Sequence, residues 1–553
     1  MPGPSFTVAL GLSSSVHAIG AVTRTGKYLY NADGSRFFIK GVAYQPQGVA
    51  STDPNNPFVE PSTFIDPLAD SAGCARDLPF LQQLGVNAVR VYSVNSSLNH
   101  DSCVQALSGA GIYIILDLSL PVNGSIDRAS PAWTTNLLDL YINTIDVFSK
   151  YDNVLAYNIG NEVVVSGNGT NALAFVKAAA RDTKAYLASK KSSALVGYAA
   201  IDGDDSWIVG LASYLACDVS SQNSGGNAID IFGLNNYELC GTETFQSAYA
   251  TKTADFAGLN VAAYFSEFGC NTPSPRVWDD VPALFSSDAA PVWSGGIAFS
   301  YFPAESGQGE FGMVNISSDG STVTPNTDFN NLKSQYGSVQ FVNSPSQSSA
   351  PAASYPACPS QNATLLASTT LPPTPNDAAC TCLDSNVSCQ FRPETTNTSL
   401  IVGPLLDTAC SLIGTKGGSC DAISGNGQTG QYGVVAACSP SVKLSFVFSQ
   451  YYEANNRDPQ SCSFAGNGSV NANAPTSVSA ANSVASSCLA SASSTFTPTA
   501  PTTTAGSSGS SSSAKSSSSS KPNAALMTTD ARGVLGFVLM VAIGVMGGAL
   551  TLA

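Results

Sequence analysis

Histidine is nearly absent from this chain: of 553 residues two are histidine, His17 and His100. That excludes a histidine-based hydrolytic triad unless His100 alone supplies it, and His100 stands close to Cys103 in what reads as a surface loop, so serine or cysteine hydrolase chemistry is not expected. No His/Cys spacing suits zinc, and neither a metal nor a cofactor is expected. Charge is scarce as well. Charged residues make up 11% of the chain, with 23 Lys and Arg against 38 Asp and Glu, for a net charge of −15. A phosphate backbone needs clustered cations, so nucleic acid is excluded as a partner and a neutral polymer fits better.

What the chain does have is cysteine, small residues and glycosylation sequons. Fourteen cysteines and Asn-x-Ser/Thr sequons at Asn95, Asn123, Asn168, Asn315, Asn362, Asn386, Asn397 and Asn467 point to an oxidised, secreted glycoprotein. Phe6–Leu12 is a short apolar core followed by small residues through Ala18, which reads as a leader cleaved after Ala18, although the basic residue usual before such a core is missing. At the other end Val534–Leu552 is apolar with almost nothing polar after it. Asn523-Ala524-Ala525, a polar spacer through Arg532 and that apolar end together read as a glycosylphosphatidylinositol attachment signal, with Asn523 as the attachment residue; a retained membrane helix is the competing reading. Ser491–Ser520 is almost wholly Ser, Thr, Ala, Pro and Gly, a composition that cannot bury a core and suits a disordered, O-glycosylated stalk.

At this length one core is not enough, and a catalytic domain plus a smaller one is expected. Residues 19–340 alternate apolar runs with amphipathic stretches. The runs are Phe37–Tyr44, Ala88–Tyr92, Ile112–Asp117, Val154–Tyr157, Leu195–Tyr198, Ile229–Asn235, Val261–Phe265 and Gly296–Tyr301. Helical candidates between them include Asp77–Leu84, Trp133–Tyr151, Asn171–Ser189 and Thr244–Phe256. Eight strands separated by helices close most naturally as an α/β structure of the TIM-barrel, (β/α)8, class, whose strand ends converge on one face.

Polar groups at those ends include Arg90, Tyr92, Asp117, Asn161, Glu162, Asn235, Tyr237, Glu238, Glu267 and Tyr301. Two carboxylates about 5 Å apart are what a retaining glycosidase needs, one to protonate the leaving oxygen and one to attack the anomeric carbon. Glu162, preceded by Asn161, suits the acid/base and Glu267 the nucleophile, with Arg90 beside the latter to hold the two pKa values apart. Taken singly, each glutamate is more ordinarily a salt-bridge partner. Tyr92, Tyr237 and Tyr301 equally fit half-buried barrel-mouth aromatics with satisfied hydroxyls, and Asp117 and Glu238 fit structural partners of Arg90.

The motifs Arg90-Val-Tyr92, His100-Asp101 before Cys103, Ala110–Tyr113 leading to Asp117-Leu-Ser119, Gly160-Asn161-Glu162-Val163, Phe232–Glu238, Phe265-Ser-Glu267-Phe-Gly-Cys270 and Val292–Gly296 resemble, in order, the fungal 1,3-β-glucanosyltransferases of glycoside hydrolase family 72. The resemblance implies that Glu162 is the acid/base, that Glu267 is the nucleophile, and that Tyr92, Asp117, Asn161, Tyr237 and Tyr301 line the donor and acceptor sites. It implies transfer between β-1,3-glucan chains: an internal bond is cut, and the retained glycosyl ester passes to the non-reducing end of an acceptor. The partners expected are thus a glucan donor and acceptor, and a membrane through the lipid anchor, with the protein a monomer at the cell surface. Disulfides Cys74–Cys103, Cys240–Cys270 and Cys217–Cys358 are implied in the same way. Departures fall at strand eight, where Phe299-Ser300-Tyr301 replaces Tyr-Glu-Tyr, and at Leu239, where the family has Trp. A plain endo-β-1,3-glucanase shares every catalytic residue; a wall-bound glucan-binding protein with a retired barrel is the non-enzymatic alternative.

After a linker over 341–375, eight cysteines from Cys380 to Cys488 describe a small stapled α/β module over 376–488. Its eight cysteines allow 105 connectivities, and none is preferred. Cys380-Thr-Cys382, Gly425–Gly433 and Lys443–Phe446 before Tyr451-Tyr452 resemble carbohydrate-binding module family 43, which implies glucan binding; a structural brace for the barrel is the alternative. The stalk then runs over 489–523 and the anchor propeptide over 524–553.

Overall fold

Eight apolar runs of four to eight residues, each too short for a helix, pair side by side and close on themselves. The computed structural model describes residues 19–51, 60–61, 63–121, 124–306, 309–395 and 397–501. The strands are β1 (Ile39–Ala43), β2 (Ala88–Val91), β3 (Tyr113–Asp117), β4 (Val154–Asn161), β5 (Leu195–Ile201), β6 (Ile231–Asn235), β7 (Ala262–Phe268) and β8 (Trp293–Ala298). They form a closed parallel barrel in sequence order, β8 pairing with β1 through Gly295 opposite Ile39. After each strand comes a helix: α1 (Ser71–Leu84), α2 (Asp101–Gly109), α3 (Thr135–Phe148), α4 (Leu173–Ser189), α5 (Asp205–Ala216), α6 (Ala250–Phe256), α7 (Asp280–Leu284) and α8 (Thr327–Ser338).

Two apolar cores follow from this closure. Ile39, Ala88, Ile115, Ala156, Leu195, Ile231, Ala262 and Ile297 come one from each strand and fill the barrel. Val22, Leu29 and Phe37, from the N-terminal hairpin Thr23–Thr25/Tyr28–Tyr30 and the segment after it, join them. The alternate residues, among them Val89, Ile114, Val196, Phe232 and Phe265, pack outward on the helices.

Several local expectations need correction. The helix read as Asp77–Leu84 begins at Ser71, where the Asp70 side chain accepts a hydrogen bond from the Gly73 amide, and runs through Pro79. The segment around His100 is not a surface loop: His100 is buried at the start of α2, with Nε2 2.8 Å from Asp66 Oδ2. Thr244–Phe256 divides into a π-turn over Phe245–Tyr249 and α6. Strand eight ends at Ala298, before Phe299-Ser300-Tyr301.

The second domain is built on α9 (Asp377–Asn386), α10 (Ser399–Gly414), α11 (Pro440–Ala454) and α12 (Val478–Cys488), with a short antiparallel pair, Cys389–Phe391 and Gly468–Val470. Disulfides Cys380–Cys438, Cys382–Cys488, Cys389–Cys462 and Cys410–Cys420 staple it around Phe391, Leu444, Phe448 and Tyr452. Cys74–Cys103, Cys217–Cys358 and Cys240–Cys270 complete the set. Residues 341–375 run along the barrel rather than away from it: Cys358 is bonded to Cys217, Thr364 Oγ1 donates to the Ser206 carbonyl (2.7 Å), and Thr374 Oγ1 donates to Asp182 (2.7 Å). The leader, the sequon at Asn123, most of the Ser-rich stalk, Asn523 and the apolar Val534–Leu552 lie outside the described residues.

Candidate active site

The C-terminal ends of the strands carry a polar layer on top of the apolar barrel interior, centred on Arg90 of β2. Ala88 and Arg90 share a face because the side-chain period of a strand is two, and Arg90 is completely buried. Its guanidinium donates to Asp117 Oδ2 (2.7 Å), Asn161 Oδ1 (2.8 Å), Asn235 Oδ1 (3.3 Å) and Glu267 Oε1 (3.2 Å), drawing β3, β4, β6 and β7 to one point. Burial opposes its charge, but Asp117, Tyr92 and Glu267 outweigh burial and raise its pKa. Asp117 also accepts from Asn158 Nδ2 (2.6 Å). It is therefore a structural counter-ion to Arg90 at the floor of the site. Glu238, the other partner considered for Arg90, instead accepts from Asn236 (3.2 Å) and stands 3.9 Å from Lys252.

Both glutamates reach this layer because their strands are irregular. On β7, Leu234 of β6 pairs with Phe265 but Asn235 pairs with Glu267, so one extra residue, Ser266, is inserted. Ala262 and Tyr264 face the interior; in a regular strand Ser266 would follow them and Glu267 would point outward. The bulge turns Glu267 inward too, while Ser266 keeps its interior place and donates from Oγ to Asn235 Oδ1 (2.7 Å). On β4, Asn158 pairs with Gly197 and Asn161 with Ala199, three steps against two, which turns Asn161 inward. Glu162 follows at φ 49°, left-handed for a non-glycine residue, with its amide donating to the Ala199 carbonyl (2.8 Å). A glutamate held there costs on the order of 1 kcal/mol, which the surrounding structure must offset.

Glu267 is held on both oxygens. The Tyr92 hydroxyl donates to Oε1 (2.9 Å) and the Tyr237 hydroxyl to Oε2 (2.8 Å). Burial pushes its pKa up to about 7; Arg90 pulls it down, the charge of Glu162 pushes it up, and the two hydroxyls pull it down. Glu162 Oε1 accepts from Asn235 Nδ2 (2.7 Å), and Arg128 Nε donates to its carbonyl (2.8 Å). Asn161 uses its Oδ1 on Arg90 and Asn235, which turns its amide nitrogen away from both.

Of the residues singled out in the sequence, Arg90, Tyr92, Asp117, Asn161, Glu162, Tyr237 and Glu267 meet in one network. Tyr301 does not. It is fully buried, its hydroxyl donates to Asp77 Oδ1 of α1 (3.1 Å), and its ring packs on Tyr44 and Phe302. Strand eight stops three residues short of it, so its side chain turns into the barrel–helix layer. The aromatic that strand eight delivers to the site is Phe299, half-buried, with its ring 6.4 Å from both Tyr92 and Tyr237. In the sequence Asn235 reads as a polar strand end, and nothing there signals its bridge from Arg90 to Glu162. Phe311, 5.6 Å from Phe299 and from Tyr237, carried no signal, since it lies in a loop far along the chain.

A set of carboxylates with a cation and two phenols can protonate one oxygen while presenting a charged oxygen to a carbon opposite it. Comparison with known proteins agrees with that chemistry. The family described as Glucanosyltransferase matches residues 10–340, and the X8 domain matches 387–469. The chain is 38% identical over 486 residues to the 1,3-beta-glucanosyltransferase gas1 of Schizosaccharomyces pombe, covering 87% of this chain and 83% of that protein. It is 40% identical over 451 residues to Protein EPD1 of Candida maltosa, covering 80% of this chain and 76% of that one. A solved structure of Saccharomyces cerevisiae Gas2p in complex with laminaritetraose and laminaripentaose is similar, with a TM-score of 0.73 and 33% identity, over 85% of this chain and 99% of that chain.

Proposed function

The chain belongs to the glucanosyltransferase family, and from that premise we propose that Glu267 is the nucleophile and Glu162 the acid/base of a retaining transfer between β-1,3-glucan chains. The protein is a 1,3-β-glucanosyltransferase. In the first step Glu267, as carboxylate, attacks the anomeric carbon of an internal glucosyl unit while the Glu162 carboxylic acid protonates the leaving oxygen, and the reducing-side fragment departs. In the second, Glu162 as carboxylate takes the proton of an acceptor hydroxyl at a non-reducing end, and that oxygen displaces Glu267.

The observation that carries this reading is the set of donors gathered on Glu267. Glu267 receives Arg90, Tyr92 and Tyr237, three donors suited to a group that must be charged when it attacks. Glu162 Oε1 accepts from Asn235 Nδ2, and Asn235 Oδ1 accepts from Arg90, which ties the second carboxyl to the same network. Asn161, through its outward amide nitrogen, is placed to donate to the sugar's 2-hydroxyl, and Tyr237 and Phe299 offer ring faces to pyranose units. Transfer requires a bound acceptor to outcompete water, so acceptor orientation has to contribute several kcal/mol in the transition state.

Secretion, removal of residues 1–18, attachment of a glycosylphosphatidylinositol at Asn523 and residence at the outer face of the plasma membrane are part of the same proposal. They are supported by the leader, the sequons and the small-residue, spacer and apolar tail pattern.

The test is to incubate the secreted, tail-less protein with a reduced laminari-oligosaccharide and separate the products by size, alongside Glu162→Gln and Glu267→Gln. Products longer than the substrate, absent in both variants, are expected. Only shorter products would make the protein an endo-glucanase; no products from the parent would leave glucan binding.

A further inference from the structure

The loop after β7 carries a buried arginine that touches neither glutamate yet reaches the two aromatic residues beside them. Arg276 is 2% exposed. Nη1 donates to the carbonyl of Phe299 (2.5 Å) and Nη2 to the carbonyl of Phe311 (2.6 Å). Its Nε donates to Asp328 Oδ2 (2.7 Å) and its own amide to Asp328 Oδ1 (2.9 Å), which anchors it to α8. The guanidinium lies 4.2 Å over the Trp278 ring, and Trp278 Nε1 donates to the Asp328 carbonyl (2.9 Å). Trp278 in turn closes on Gly269, two residues after the nucleophile, where φ is 121° and an added Cβ would stand 2.4 Å from the indole.

One planar group therefore sets two main-chain carbonyls whose side chains form a wall. Phe299 and Phe311 are 5.6 Å apart, Phe311 is 5.6 Å and Phe299 6.4 Å from Tyr237, and Tyr237 donates to Glu267. An aromatic surface that stacks on a sugar works only at a definite height and tilt; a displacement of about 1 Å is enough to lose much of the orientation a bound reactant needs. Only a forked, rigid, permanently charged donor holds two carbonyls at fixed separation. The remaining members of the wall are positioned independently, Tyr92 by β2 and Tyr237 by β6 and the Cys240–Cys270 bridge.

We propose that Arg276 is a positioning residue which holds Phe299, with the buried Phe311 packed behind it, at the height needed to stack on glucan beside Glu267, and that the partition of the glycosyl ester between sugar acceptor and water depends on it. The proposal rests on the reading of Glu267 as nucleophile. Water needs no aromatic platform, whereas an acceptor glucan does, so loosening the wall penalises transfer more than hydrolysis.

The experiment measures transfer and hydrolysis products from one laminari-oligosaccharide in the secreted protein, with Arg276→Met, Arg276→Lys, Phe299→Ala and Glu267→Gln. Arg276→Met is expected to lower the transfer-to-hydrolysis ratio about ten-fold and raise the apparent KM for acceptor. Phe299→Ala should lower the ratio similarly. Arg276→Lys, able to reach one carbonyl but not hold both, should fall between parent and Met, at least about three-fold below the parent. A purely structural arginine would reduce the amount of folded enzyme, scaling both products together with the ratio unchanged, and that outcome overturns the proposal. So does a Phe299→Ala ratio equal to the parent's. If Arg276→Met is not secreted, the lysine variant decides: an unchanged ratio there overturns the idea. Products persisting in Glu267→Gln would instead remove the nucleophile reading, whatever the ratios.

Discussion

Glu267 pays for its position by being hard to ionise. Its folded pKa, pushed from 4.5 up to about 7 by burial, means that the native state resists ionisation more than the unfolded chain does. Such a group costs nothing below the unfolded value, costs progressively more between pH 4.5 and 7, and carries its full penalty above that. Glu267→Gln is therefore expected to raise stability at pH 7.5 by up to about 3 kcal/mol and to leave it unchanged near pH 4, measured as denaturant midpoints at the two pH values. Loss of stability in the variant at pH 7.5 would show that the hydrogen bonds from Arg90, Tyr92 and Tyr237 outweigh the burial penalty. Tyr301 offers the opposite test. Because its hydroxyl is buried against Asp77, Tyr301→Phe should cost about 1 kcal/mol in thermal or denaturant unfolding and leave the length distribution of the products as it was. A changed product ladder would put Tyr301 back at the glucan. Tyr301 leaves the site because strand eight stops at Ala298, three residues before it.

Elements depend on groups that the local sequence does not advertise. Helix α5 ends in a buried turn, and the carbonyls of Tyr214, Leu215 and Cys217 all accept from Lys177 Nζ of α4 (2.8, 3.2 and 2.7 Å). Burial lowers the Lys177 pKa, and nearby Asp218 works against that. A lysine inside an alanine-rich amphipathic helix would ordinarily lie on its wet face; here it replaces water at the C-terminus of a neighbour. Lys177→Met keeps the volume and removes the donor, so it should destabilise the protein by about 2–4 kcal/mol while specific activity per folded molecule is retained, checked by melting and by an active-site titration. The bulges in β4 and β7 belong to this scale as well. The sequence placed Asn161, Glu162 and Glu267 at strand ends, but their inward direction comes from the extra residue in each strand. A bulge has no composition of its own; it is decided by pairing with the neighbouring strand.

Across the molecule, the disulfide module and the barrel meet through α3, α4 and residues 341–375. The Thr135 amide donates to the Ala437 carbonyl (2.9 Å), Phe175 packs edge-on against Tyr432, and Asp182, fully buried, accepts from Trp133, Arg181 and Thr374. Asp139 of α3 faces Asp377 of α9 closely enough to share a proton, and burial together with that neighbour pushes Asp139 up to about 7. A carboxyl pair of this kind joins the domains while it holds a proton and repels once both are charged. Asp139→Asn should consequently raise the melting temperature relative to the parent at pH 8 and not at pH 4; taking the difference cancels the contribution of Glu267. An equal effect at both pH values would mean that the pair is not titrating. Such a joined interface agrees with a structural brace as one role of the module.

The sequence by itself determined the barrel class, the cysteine-rich character of the module after it and the placement of Glu162 and Glu267 at strand ends, because apolar alternation, composition and short motifs are local properties that survive without coordinates. It overextended strand eight and did not name α2, α5, α7 and α8, whose boundaries depend on what packs against them. Only the tertiary structure decided which side of each strand a residue faces after a bulge, that Phe299 and not Tyr301 reaches the site, that residues 341–375 lie on the barrel, and which cysteines of the module are partners. Each of those depends on contacts between segments tens to hundreds of residues apart, and no local pattern in the chain encodes them.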